Sequence, residues 1–129
     1  MNMTVPTHLQ YTRDHYWIRQ EGNEAVIGLT ETGLLTWGMV LFIELPERGA
    51  VLEQGHYAGS LETAESEHDL LAPLSGEVIA VNMLLERATM MLIESPYEKG
   101  WLFRMACSEP SEMEQLLDAG TYEADYALE

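Results

Sequence analysis

Between residues 15 and 107 the chain is cut into short apolar runs, each closed by a glycine, asparagine or proline turn. That rhythm allows little besides a mostly-β barrel or sandwich. His15–Arg19 and Ala25–Leu29 flank Glu21-Gly22-Asn23-Glu24, whose glycine and asparagine tolerate positive φ, so the pair reads as a hairpin. Met39–Leu45 is an apolar run of strand length stopped by Pro46, and predicts a strand buried on both faces. Val51-Leu52 starts a further short strand. Tyr57–Glu62 and Asp69–Ala72 read as two arms of a hairpin with Thr63-Ala64-Glu65-Ser66 near its tip. Glu77–Val81 and Trp101–Ala106 are the last strong strands, and Thr89–Glu94 reads as extended.

Helices are few. Thr30 can cap a short one that Gly38 ends. A second is expected over Ser111–Ala119: Ser111 and Glu114 have the capping-box form, Met113, Leu116 and Leu117 share one face, and Gly120 supplies a stop. Asn82–Ala88 reads as a loop. The reading divides into a lead-in over 1–10, one domain over 11–122 and a tail over 123–129, with no repeat or linker.

Charge narrows the functions. Twenty-two acidic residues against six basic ones leave a net charge of −16. Such a surface is repelled by a nucleic-acid backbone or an anionic membrane and attracted to basic protein partners. No apolar run approaches the roughly 20 residues of a membrane span. The first residues, Met-Asn-Met-Thr-Val-Pro, have neither the basic nor the apolar region of a signal peptide, so a cytoplasmic location is expected. The lone Cys107 cannot form an internal disulfide and reads as a small hydrophobe. No P-loop, nucleophile elbow or dinucleotide fingerprint is present, and no catalytic residue is expected. His8, His15 and His56 are isolated, and His15 reads as structural.

One segment carries more information than the rest. Ser60-Leu-Glu-Thr-Ala-Glu-Ser-Glu-His-Asp-Leu-Leu-Ala-Pro-Leu-Ser-Gly-Glu-Val78 resembles the swinging-arm hairpin of a lipoyl carrier, specifically that of the glycine cleavage H protein. The family's motif reads roughly E-S-V-K-A-x-S-D-I-x-A-P-L-S-G-E-V. The likeness extends over about residues 11–122: His15 and Trp17 of an H-x-W pattern, Ile27-Gly-Leu-Thr30, Gly38, Glu44-Leu-Pro-Glu47 with Gly49, Val81-Asn82, Pro96-Tyr97, Gly100-Trp101, Leu116-Leu117 and Tyr122. Each piece is weak alone, but their order and spacing together are specific.

The resemblance implies a lipoyl-type barrel-sandwich hybrid with short helices and a C-terminal helix. It also implies a carrier rather than an enzyme: in the family, a lipoyl arm takes an aminomethyl group from a PLP-dependent decarboxylase to a folate-dependent transferase. Alignment on Ala72–Val78 puts Glu65 where the family has its lipoylated lysine. A carboxylate cannot form that amide, so no cofactor is expected. Ser66-Glu-His68 also departs from the small residues usual there, and Thr89-Met-Met-Leu-Ile93 replaces the family's P-x-L-V-N. The only lysine, Lys99, lies in a turn far along the chain.

The expected function is therefore an H-protein-like binding or scaffold protein that is not lipoylated. Its expected partner is a protein, with glycine cleavage components or lipoate-attaching enzymes as candidates. Glu62, Glu65, Glu67, His68 and Asp69 form a possible docking set toward a basic surface. Two alternatives stand beside it: a functional lipoyl carrier in glycine decarboxylation, and a metal-binding protein using the hairpin's carboxylates and His68.

Overall fold

A computed structural model describes residues 4–127. Two antiparallel sheets face each other. Six strands, β1 (Gln10–Tyr11), β2 (Tyr16–Glu21), β3 (Glu24–Leu29), β9 (Phe103–Cys107), β8 (Gly76–Val81) and β5 (Val51–Leu52), lie in that order in the larger sheet. The smaller sheet has the order β4 (Val40–Glu44), β6 (Tyr57–Thr63), β7 (Glu67–Leu71). This is the barrel-sandwich architecture with short helices that the turn rhythm and the motifs imply.

Period-two alternation divides the side chains between two cores. Ile18, Ala25 and Ile27 point into the space between the sheets with Leu61, Leu70, Leu74 and Phe103. Their neighbours Trp17 and Val26 point to the other face and form a second cluster with Leu9, Tyr11, Ala119 and Tyr122. Gly28 belongs to β3 because the Trp17 indole lies across it: a Cβ there would overlap the ring. The indole nitrogen donates to the Pro96 carbonyl at 2.9 Å, so a buried aromatic keeps its polar atom satisfied.

Local chemistry sets the first helix, α1 (Glu31–Trp37). The Thr30 hydroxyl accepts from the Gly33 amide at 3.1 Å, and Gly38, at φ 95°, closes the helix with its amide on the Leu34 carbonyl. Three expectations need correction. The segment expected to be extended over Thr89–Glu94 instead turns into α2 (Met91–Glu94), after a 3₁₀ turn at Met83–Glu86 in the region read as loop. The asparagine before that turn is held in place: Asn82 Nδ2 donates to the carbonyls of Lys99 and Trp101, both at 2.8 Å.

The second correction concerns β4. Only Val40 and Ile43 are buried, while Leu41 and Phe42 are exposed. The cause is a register irregularity against β6: Val40 pairs with Thr63 and Phe42 with Glu62, so Leu41 is an extra residue. β4 is also an edge strand, with no strand on its far side among the described residues.

The third is at the C-terminal end. The helix expected over Ser111–Ala119 is a 3₁₀ stretch at Pro110–Gln115, then extended chain at Leu116, then α3 (Ala119–Asp125). Two long-range ties override the local signal. Glu112 accepts from the Ser75 amide at 2.7 Å and from its hydroxyl at 2.8 Å, and Leu117 exchanges both backbone hydrogen bonds with Tyr11. Asp118 then caps the real helix, its carboxylate accepting from the Thr121 amide at 2.8 Å. Gly120 therefore sits in the first turn of α3 instead of ending a helix.

Candidate functional site

The hairpin of β6 and β7 is the candidate site. Glu62 pairs with Glu67, Leu61 with His68 and Ser60 with Asp69, leaving Ala64, Glu65 and Ser66 to make the turn. Thr63 shapes that turn. Its amide donates to the Ser66 carbonyl at 2.8 Å, and its buried hydroxyl donates to the same carbonyl and accepts from the Ser66 amide, both at 3.2 Å. Such side-chain bonds to nearby backbone favour tight turns. Glu65 consequently stands at the apex, exposed.

The alternation of the strands sorts the remaining side chains. Glu62, Glu67 and Asp69 share the outer face, all exposed, and none makes an ion pair among the described residues. Two like charges sit directly opposite one another at Glu62 and Glu67, a mildly destabilising arrangement. His68 faces the other way. Its ring stacks on Trp37 at the end of α1, with centroids 5.3 Å apart and planes 25° from parallel. Its Nε2 shares a 2.9 Å hydrogen bond with the Ser66 hydroxyl. The structure thus separates His68 from the acidic residues grouped with it in sequence. Among the described residues no three His, Cys, Asp or Glu side chains converge to hold a metal ion.

The hairpin's return strand leads into a rigid corner. Ala72, Pro73 and Leu74 are buried, and Gly76 adopts φ 156° where the Ala106 carbonyl passes so closely that a Cβ would overlap it. Ser75, gripped by Glu112, closes the corner from the other side. The arm therefore projects from a firmly packed base.

A hydrogen-bond chain supports α1 from the far end. The Tyr122 hydroxyl lies 2.7 Å from Thr30 Oγ1 and 2.7 Å from His15 Nδ1. The Tyr122 ring stacks on Tyr11 at 4.7 Å. Desolvation on burial lowers the pKa of His15, with Asp14 acting in the opposite direction. Cys107 is half-buried, and burial pushes its thiol pKa up, as do Glu112 and Glu24, which is the reverse of what activates a cysteine.

The chain matches the family model for the glycine cleavage H-protein over residues 9–127. It is 42% identical over 120 residues to the glycine cleavage system H protein of Bacillus cytotoxicus, covering 93% of this chain and 94% of that one. It is 40% identical to the H protein of Brevibacillus brevis over 122 residues, covering 95% and 97%. The crystal structure of a glycine cleavage system H protein from Mycobacterium marinum superposes with a TM-score of 0.81 at 29% identity, covering 93% of this chain and 97% of that one. The chain belongs to the glycine cleavage H-protein family.

Trp17 packs over Gly28, Thr30 hydrogen-bonds Tyr122, and Pro73–Gly76 forms the corner after the hairpin. Two features had no signal in the sequence. The Trp37–His68 contact joins residues too far apart to be paired by any local pattern, and the exposure of Leu41 and Phe42 depends on the bulge in β4. No helix among the described residues is long and apolar enough to cross a membrane.

Proposed function

We propose that this H-type chain acts as a protein-binding module and does not carry lipoate. The observation that carries this reading is Glu65, exposed at the apex of the β6–β7 hairpin, at the position that the alignment on Ala72–Val78 gives to the family's lysine. Lipoate is attached by an amide between its carboxyl and an amine. Glu65 offers a second carboxylate, which supplies no nucleophilic nitrogen. The only lysine, Lys99, lies beyond Pro96, outside the hairpin. Without the arm there is no carrier for the aminomethyl group and no dithiol to reoxidise, since the cofactor supplies that chemistry. The protein is non-enzymatic on this reading.

What remains is a projecting, well-based hairpin with an acidic outer face. Glu62, Glu65, Glu67 and Asp69 are free of ion pairs among the described residues and suit docking toward a basic protein surface. Components of the glycine cleavage system and lipoate-attaching enzymes are the candidate partners. The reading is tested by supplying the chain in place of lipoylated H protein in a reconstituted glycine cleavage reaction. No turnover above the H-protein-free control is expected, even after incubation with lipoate and a ligase. Turnover dependent on that incubation would establish the carrier alternative.

A further inference from the structure

Among the described residues, eight of the eleven exposed large hydrophobic ones fall in two short segments, 35–42 and 83–93. These segments are far apart in sequence but packed together, β4 against the 3₁₀ turn at Met83–Glu86 and α1 against α2. Between them runs a groove of about 430 Å³, lined by Met39, Leu41, Arg87, Met90, Ile93 and Glu94. Met39 is 74% exposed and Met90 64%. Ile93 stands where the family's P-x-L-V-N motif has asparagine. Scattered single apolar residues on a surface need no explanation, but a contiguous set built by two segments does. Methionine is suited to such a role because its flexible, polarizable side chain adapts to different shapes.

We infer that this groove is a docking surface for a cationic amphipathic segment of another protein, which would set apolar side chains between Met39, Leu41, Met90 and Ile93 and place lysines or arginines over the surrounding acids. Charge complementarity selects this occupant. Within segments 35–42 and 83–94 the ionisable residues are Glu86, Arg87 and Glu94, two acids to one base. The rim is therefore net acidic on a chain of net charge −16. A second copy of the chain would bring the same acidic rim against this one, and like charges across an interface are strongly disfavoured. An anionic membrane is repelled for the same reason. A cationic segment gains both the apolar burial and fast, steered association.

The inference rests on reading the chain as a protein-binding module, and the two fail separately: lipoylation would remove that reading, whereas the groove is tested by its own variants. The probe is a fluorescein-labelled synthetic peptide of leucine and lysine, with leucines three and four residues apart, titrated with the full chain and followed by anisotropy. Met39→Gln, Met90→Gln and Ile93→Asn are combined in one variant, which keeps the net charge unchanged. Because all three side chains are exposed, the variant is expected to fold, as circular dichroism will show. It is expected to weaken peptide binding by at least about tenfold, the loss of a small cluster of apolar anchors. Val51→Thr, an equally exposed apolar residue in β5 at the edge of the larger sheet, is expected to change it by less than about twofold. Equal binding by the triple variant and the parent would overturn the inference, since the peptide would then be held by charge alone. So would a dimer of the chain in sedimentation velocity that the triple variant dissolves, because the occupant would then be a second copy.

Discussion

Replacing Tyr122 by phenylalanine isolates the bond chain that holds α1 and α3 together. The residue is fully buried, and its hydroxyl makes two 2.7 Å hydrogen bonds, to Thr30 Oγ1 and His15 Nδ1. Phenylalanine keeps the ring, the stack on Tyr11 and the volume, so no cavity opens. Thr30 Oγ1 keeps its bond from the Gly33 amide, and half-buried His15 can recruit water. The loss is thus these two hydrogen bonds and the one the hydroxyl shares with buried Thr32, at least about 1–3 kcal/mol in all. Urea unfolding followed by tryptophan fluorescence should show a lower midpoint at unchanged slope. The thermal midpoint should fall by roughly 4–12 °C for a domain of this size. Tyr122→Ala, which also removes the ring, should cost more, about 3–5 kcal/mol. If Tyr122→Phe unfolds at the parent's midpoint, the hydroxyl does not tie the C-terminal helix to the Thr30 cap and the structural reading of that chain is wrong.

Three further outcomes are expected. His15 has a folded pKa lowered by desolvation, so the unfolded chain binds its proton more readily: the stability it contributes is full above the ordinary histidine pKa of about 6.5 and is lost as pH falls through the folded value. Urea midpoints measured across that window should fall with pH less steeply in His15→Gln; an unchanged slope would remove His15 from the cause. Gly28→Ala forces a methyl into the Trp17 indole and should cost about 1–3 kcal/mol or more, read by chemical denaturation, with tolerance of the substitution counting against the close approach. Glu67→Lys replaces a cross-strand like-charge pair with an opposite one and should raise the thermal midpoint slightly at low salt. That gain should fade as the Debye length shrinks from about 10 Å at 0.1 M to about 3 Å at 1 M, and a salt-independent gain would point to packing as the cause.

Where local chemistry decides the structure, it was legible in advance. Thr30 and Gly38 bound α1 because a cap acts within four residues, and the β6–β7 hairpin follows from two β-rich arms around a Thr-Ala-Glu-Ser turn. Non-local contacts account for the misreadings. Ser111 and Glu114 have the form of a helix start, but Glu112 is drawn to Ser75 and Leu117 to Tyr11, so the helix begins only at Ala119. Met39–Leu45 has the composition of a doubly buried strand, yet its edge position and the extra residue at Leu41 turn apolar side chains outward. The carboxylates of the site could be listed from the sequence, but strand alternation and the reach of Trp37 decided that His68 does not stand among them.

The most direct test of the unlipoylated reading is the intact mass of the full chain after co-expression with a lipoate ligase and excess lipoate. The unmodified mass is expected, alongside a Glu65→Lys variant in which an amine at the hairpin apex is expected to gain at least a fraction of one lipoyl group. A lipoyl mass gain in the parent chain, mapped by peptide fragmentation to Lys99 or any other residue, would contradict it.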